Sequence, residues 1–401
     1  MQADLEWIIQ VIASEKLYSI DLRNAGGGKM DSEMSAWLTS NMGLKNNSKE
    51  GDDGDETDTT NADTVTSLSQ AEGLKRQESD FVSEGGGREL ALIDEVSDTA
   101  EMIQLMSKIN EWDFDPFEFH RVTQNSGLVV AAWKLFEQHD LINKFRLSQH
   151  RFLVFFRKVQ DGYRDNPYHN CVHALDVILN TNYFIRQERV VPLLTPLDRL
   201  ACLIAAAIHD HEHGGLNNNF LMATKHEMAI KYNDQSVLES HHVASAWALL
   251  LQEDYNFLRA LSREQYVELR DSVIQIVLGT DMKFHFEHYT KFKTKQASDT
   301  FQDGCEREDV KFMMSVLVHC ADIANPVKPL KVCLKWTRQV MEEFFQQGEL
   351  EAQSGLPISP FYDREKTSIA QCQMGFINVL VKPLYTEFTA LLGEPAITEC
   401  M

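Results

Sequence analysis

In Ala205-Ala-Ala-Ile-His209-Asp210-His211-Glu212-His213 an apolar run ends in an adjacent histidine and aspartate, with Gly214-Gly215 close behind. That pair suits a divalent cation better than a core. A neutral imidazole offers one nitrogen, and a carboxylate offers up to two oxygens that can bridge two ions. Tyr168-His169-Asn170-Cys171-Val172-His173 adds two histidines at i and i+4, which a helix would present on one face. In His319-Cys320-Ala321-Asp322-Ile323-Ala324-Asn325-Pro326 the carboxylate of Asp322 follows the apolar run Met313 to Val318. It either caps the turn ahead of Asn-Pro or joins the other candidates as a fourth ligand. His213 and Asn218 lie on a glycine-containing turn, where His213 reads as a group behind the ligands more than as a ligand.

These residues need rigid elements to bring them together, and the pattern around them is helical from about Leu90 nearly to the end. Apolar residues recur every three or four positions over Gly127 to Ile142, Ser148 to Val159 and Tyr168 to Arg186. Thr195-Pro196-Leu197-Asp198 supplies a cap, a first-turn proline and an acid ahead of the stripe Leu200, Leu203, Ile204 and Ala207. Ser262-x-x-Gln265 is a capping box before Tyr266, Leu269, Val273 and Ile276. Trp336 to Phe345 is an amphipathic helix, and Gln371-Cys372-Gln373-Met374-Gly375-Phe376 opens the last long one; by composition both are core. Alternating strand patterns and internal repeats are absent from the sequence.

The formal charge of −22 argues against wrapping nucleic acid or lying on an anionic membrane. An anionic substrate would need bound cations to offset that field. The seven cysteines are odd in number and form neither a disulfide framework nor a Cys-x-x-Cys knuckle, which points to a reducing compartment. The first residues have no basic start, and no apolar run reaches the roughly 20 residues of a membrane span. The chain divides into an N-terminal helical arm (1–24), a low-complexity, mostly disordered linker (25–94) and an all-α catalytic domain (95–395). Asn46 to Gly87 is too polar to repay the entropy of ordering. Within it, Lys75-Arg76-Gln77-Glu78-Ser79 has the arginine-to-serine spacing that basophilic kinases accept.

Taken jointly, Tyr-His-Asn-x-x-His, His-Asp-x-x-His with Asn-Asn-x-Phe, Leu238-Glu239-x-His241-His242, Thr280-Asp281-Met282 and His-Cys-Ala-Asp appear in an order that resembles the class I cyclic nucleotide phosphodiesterase catalytic domain. The likeness runs from about residue 110 to 392 and implies a compact, multi-helix fold of the HD-type metal phosphohydrolases. It implies that His173, His209, Asp210 and Asp322 hold zinc, and that Asp210 bridges to a second ion, magnesium or manganese. His213, Glu239 and Thr280 would hold that ion's waters. His169 would be the general acid, protonating the leaving 3′ oxygen. Gln373 would bond the purine between Phe376 and Val340, with Tyr168 and Asn325 completing the substrate site. Two metals about 3.5 to 4 Å apart supply a bridging hydroxide nucleophile and stabilise negative charge, since metal-bound water has a pKa near 7.

The resemblance implies a cyclic nucleotide, cAMP and/or cGMP, as the small-molecule partner. Asn325 is like the cAMP-specific families. Ala352-x-x-Gly355-Leu-Pro-x-Ser-Pro360, Ala370-Gln-x-Gln373 and Met228 to Glu239 look like the calcium/calmodulin-dependent, dual-substrate family. His211 stands where related enzymes often have Tyr or Val, and it is expected to point away from the metals. No paired nucleotide-binding regulatory module and no basic amphipathic calmodulin target is evident. A homodimer or a tether to a larger regulatory protein is left open; nucleic acid and membrane insertion by this chain are not expected, and a cytoplasmic location is. The competing readings are another HD-type nucleotide phosphohydrolase, which the Gln373 and Phe376 pocket disfavours, and an inactive helical scaffold, which would have lost a ligand or the acid.

Overall fold

The computed structural model describes residues 32–42, 100–301, 304–393 and 397. The arm expected over 1–24, Ser79 and Cys400 lie outside the described residues. Within them the chain is all-α, with no strand. The first helix, α1 (Ser32–Met42), falls inside the stretch expected to be linker. The helical body then runs through α2 (Ala100–Ser107), α3 (Pro116–Val122), α4 (Gly127–Gln138), α5 (Leu141–Lys144) and α6 (Gln149–Gly162). It continues with α7 (Cys171–Ile185), α8 (Pro196–Ile208), α9 (Asn218–Ala223), α10 (Glu227–Lys231), α11 (Val237–Leu250) and α12 (Arg263–Leu278). The last third holds α13 (His285–Ala297), α14 (Arg307–Asp322), α15 (Leu330–Gln353), α16 (Ile369–Phe376) and α17 (Lys382–Leu392). No described helix is long and apolar enough to cross a membrane.

Helix α8 sits at the centre, packed against α7, α12 and α14. The capping box that the sequence suggests is formed: Asp198 N donates to Thr195 Oγ1 at 3.2 Å, and Thr195 N donates back to Asp198 Oδ2 at 2.9 Å. Ser262 and Gln265 do the same for α12. Ala205, Ala206 and Ala207 are fully buried and small enough to let neighbouring helices approach closely. Truncating one of the leucines around them, such as Leu203, would cost about 2–5 kcal/mol.

Polar groups buried in α7 tie it to the end of α14. Asn180 Nδ2 donates to Ala321 O at 3.2 Å, and Tyr385 Oη from α17 donates to Cys320 O at 2.6 Å. Lys328 Nζ donates to Asn180 Oδ1 at 2.7 Å and to Trp112 O at 3.0 Å, and lies 3.6 Å from Asp176 Oδ1. These bonds hold His173 on α7 and Asp322 on α14 in a fixed relation.

One local expectation is corrected. His169 and His173 do not share a helix face, because α7 begins at Cys171. The Asn170 side chain accepts from Val172 N and His173 N, and its own backbone is extended. This N-cap leaves Tyr168 and His169 on the segment before the helix.

Candidate active site

The four ligand candidates converge. His173 Nε2 lies 3.0 Å from Asp322 Oδ1 and 3.5 Å from Asp210 Oδ2. His209 Nε2 lies 3.1 Å from Asp210 Oδ2, 3.3 Å from Asp322 Oδ1 and 3.3 Å from His173 Nε2. Four donors held about 2.0–2.1 Å from one cation at tetrahedral angles are separated by about 3.3 Å, so these distances fit a single zinc-sized centre. His209 Nδ1–H donates to Ala206 O at 2.9 Å, which orients the ring and turns Nε2 toward the other donors. Burial opposes charge on Asp210 and on Asp322, but the histidines around them outweigh it and hold both carboxyls well below their usual range. Both aspartates are therefore ionised at neutral pH, the form that can ligate a cation, and against burial they in turn raise the His209 pKa well above its ordinary value.

Around this cluster stand the groups expected to hold water for a second ion. His213, Glu239 and Thr280 line one cavity with Asp210 and Asp322. Thr280 Oγ1 donates to Val277 O at 2.8 Å, leaving its lone pairs free to accept. His213 Nδ1 accepts from Gly215 N at 2.9 Å, so in the neutral ring Nε2 carries the proton. Burial together with the His169 charge pushes His213 down to about 3. Burial and the neighbouring Asp281 push the Glu239 carboxyl up to about 8, while Asn218 Nδ2 donates to it at 3.0 Å. His211 turns away as expected: its Nδ1 bonds Ser245 Oγ at 2.8 Å, and its ring meets Tyr163 edge-on.

His169 lines the cavity with a carboxylate behind its ring. Its Nδ1–H donates to Glu343 Oε1, and Tyr168 N and His169 N donate to Glu343 Oε2 at 2.9 and 3.0 Å. Burial disfavours the imidazolium, but Glu343 and Asp210 outweigh it and lift the His169 pKa to about 9. The same pairing takes the Glu343 carboxyl down to about 2 against its burial. Glu343 went unread in the sequence because it lies in an amphipathic run. Its spacing on α15, in phase with Trp336, Val340 and Gln347, was the available signal: an acid at a core-facing position.

Gln373, Phe376, Val340, Tyr168 and Asn325 line the same cavity, as expected. Thr337 Oγ1 donates to Gln373 Oε1 at 3.4 Å. Asn325 Nδ2 donates to Tyr168 Oη, and the Tyr168 ring packs against Trp336 at 5.5 Å. A π-helical turn, Ile377–Val381, follows α16 and resets the register between this pocket and the core residues of α17. Sequence reasoning missed Met34, Trp37, Ser40 and Asn41 of α1, which also line the cavity.

Comparison with known proteins agrees with this geometry. The sequence profile of the 3′5′-cyclic nucleotide phosphodiesterase family matches residues 168–401. Over 290 residues the chain is 38% identical to the dual specificity calcium/calmodulin-dependent 3′,5′-cyclic nucleotide phosphodiesterase 1B of Bos taurus, covering 72% of this chain and 53% of that one. It is 38% identical over 303 residues to a probable 3′,5′-cyclic phosphodiesterase of Caenorhabditis elegans, covering 74% of this chain and 45% of the other. The chain thus spans about half the length of the curated relatives it matches. Among solved structures, the phosphodiesterase domain of the RhoPDE fusion protein from the choanoflagellate Salpingoeca rosetta superposes with a TM-score of 0.68 at 29% identity. That match covers 77% of this chain and 93% of the other.

Proposed function

Because the chain belongs to the 3′5′-cyclic nucleotide phosphodiesterase family, we propose that it hydrolyses the 3′ phosphoester of cAMP and cGMP to give the 5′-nucleoside monophosphates. The observation that supports this reading is the convergence of His173, His209, Asp210 and Asp322 beside a cavity that Asp210, Asp322, His169, Gln373 and Phe376 line together. His173, His209, Asp210 and Asp322 would hold zinc. Asp210 would also serve a second, harder ion, with His213, Glu239 and Thr280 holding its waters, and magnesium or manganese would suit such oxygen-rich surroundings. When bound, the two cations supply an activated water and offset charge on the phosphate.

The chain's own residues handle the leaving group. As the water oxygen bonds to phosphorus and the P–O3′ bond breaks, His169 Nε2–H gives its proton to O3′. Glu343 holds the ring through Nδ1 and stabilises its cationic form beforehand. Positioned acids of this kind contribute about 10²–10⁴-fold. The purine would lie between Phe376 and Val340, with its edge on Gln373. The Gln373 partner seen here is a hydroxyl, and Thr337 can donate or accept, so the amide is free to present either end to a base. That supports acceptance of both adenine and guanine.

The test is hydrolysis of cAMP, cGMP and 5′-AMP by the purified chain, with and without a chelator. Turnover of both cyclic nucleotides, abolished by the chelator and restored by zinc with magnesium, is expected. Activity on the monophosphate alone would reject the reading.

A further inference from the structure

His169 stands in the loop between α6 and α7, outside any helix, so side chains must set its position. Glu343 holds its ring and the amides of Tyr168 and His169, as described above. A second tether comes from Asn166. Its Nδ2 donates one hydrogen to His169 O at 2.8 Å and the other to His213 O at 2.9 Å. Asn170 Nδ2 donates back to Asn166 O at 3.0 Å, and Asn170 N donates to Tyr168 O at 2.8 Å, so two asparagine side chains close the turn between them. Pro167, inside that turn, has no N–H to contribute. Both hydrogens of the Asn166 amide are thus used, each on the backbone carbonyl of a histidine that lines the cavity. The far end of this bridge is rigid. His213 is buried, its N donates to Asp210 O at 3.0 Å, its Nδ1 accepts from Gly215 N, and its ring lies 5.5 Å from that of His242. Gly215 leaves room for Asn166: a Cβ there would stand 3.2 Å from Asn166 Oδ1, and its φ of +74° suits glycine. With one amide joining their backbones, the His169 and His213 rings stack at 3.9 Å and 26°.

We propose that Asn166 is a positioning residue for the reaction: its amide hangs the backbone of the proton donor from the turn that follows Asp210, and so fixes where His169 stands relative to the metal cluster. The two tethers have different effects. Glu343 brings a charge and points the ring, whereas Asn166 is neutral and sets the place of the backbone. Each of its bonds contributes about 0.5–1.5 kcal/mol, which is small beside the stability of a whole domain. It is enough to decide which conformations of a loop with no helical bonds of its own are populated. A displacement of about 1 Å at a reacting group can cost about 10²-fold in rate. The positioning role rests on the function proposed above, in which His169 is the acid; the tether itself does not.

The experiment uses the full chain with Asn166→Leu, which keeps the bulk and removes both donors, and with Asn166→Ala, which leaves space for water. Each is also combined with His169→Ala. Alone, both are expected to retain zinc and to lower kcat for cAMP and cGMP about 10–100-fold. KM should stay within about twofold, since a contact felt only in the transition state lowers kcat and kcat/KM together. The basic pH limb should coincide with that of the wild type, because no charge has been removed. In the His169→Ala background the same substitutions should change kcat by less than about twofold, for they act through a group already gone. An unchanged kcat in both single variants overturns the proposal, and so does an undiminished loss in the His169→Ala background, which would mark Asn166 as support for the fold at large. Amide hydrogen exchange gives a readout apart from turnover. In the single variants Tyr168 N and His169 N should exchange about tenfold faster, the effect of losing roughly 1–2 kcal/mol of local restraint, with α7 beyond its first turn unaltered. Unaltered exchange at both amides overturns the tether. If no form turns over either cyclic nucleotide, or if His169→Ala is as fast as the wild type, the function reading fails while exchange still decides whether Asn166 holds the loop.

Discussion

Replacing Glu343 with Gln removes a charge while leaving an oxygen to accept from Tyr168 N and His169 N, so the segment before α7 keeps its anchors. What it loses is the anion that, against burial, does most to raise the His169 pKa to about 9. An opposite charge at hydrogen-bond distance shifts a pKa by about 1–3 units. A drop of two units is about 2.7 kcal/mol. With pKa values of about 9 and 7, raising the pH to 9 leaves half of the wild-type rings protonated but about one in a hundred of the variant's, whereas near pH 6 both are almost fully protonated. A general acid must carry its proton, so activity falls as pH rises through its pKa. Bound cations lower both values in the same direction, and the prediction therefore rests on the difference between them. The assay is kcat/KM for cAMP from pH 5.5 to 10, with metal content checked in parallel. The basic limb should move down by about 1–3 units, with near wild-type rates on the acid side. Basic limbs that coincide would refute the claim that Glu343 sets the proton affinity of His169.

Asp210→Ala should lose bound metal and nearly all turnover, read by elemental analysis and rate; a variant that keeps both contradicts the bridging role. His169→Ala should retain metal yet turn over about 10²–10⁴-fold more slowly, and loss of metal there would mean that ligand and acid are misassigned. Gln373→Ala should raise KM by about three- to tenfold, the worth of one neutral hydrogen bond, and an unaltered KM removes it from the base pocket. Lys328→Ala strands Asp176 in the interior and should destabilise the fold by about 3–5 kcal/mol, seen as a lower denaturation midpoint; an unchanged midpoint would show that this pair does not tie α7 to the loop after α14.

The candidate quartet was legible in part: His209 and Asp210 stand together at the end of one apolar run and Asp322 follows another, whereas His173 was singled out by its spacing from His169 and by the resemblance. Thr195 and Ser262 were legible as caps because capping is local, decided within four residues. The starting point of α7 was not, since i and i+4 spacing is blind to a cap between the two histidines, and Asn170 supplies one. Glu343 was hidden because an acid in an amphipathic run reads as solvent-facing until a partner such as His169 is in place. The helix at Ser32–Met42 was hidden by its surroundings: polar, glycine-rich sequence flanks it, and Met34, Trp37, Leu38 and Met42 find a core only against distant residues such as Met341 and Phe361. Contacts made across the chain are where sequence patterning loses its hold.

The central claim is that His173, His209, Asp210 and Asp322 surround one cation. Diffraction data collected from crystals of the full chain on either side of the zinc absorption edge test it most directly. The account predicts a single strong anomalous peak about 2.0–2.2 Å from Nε2 of both histidines and from one oxygen of each aspartate. A peak that touches fewer than all four, or zinc bound elsewhere with this cluster left closed by hydrogen bonds, would contradict it.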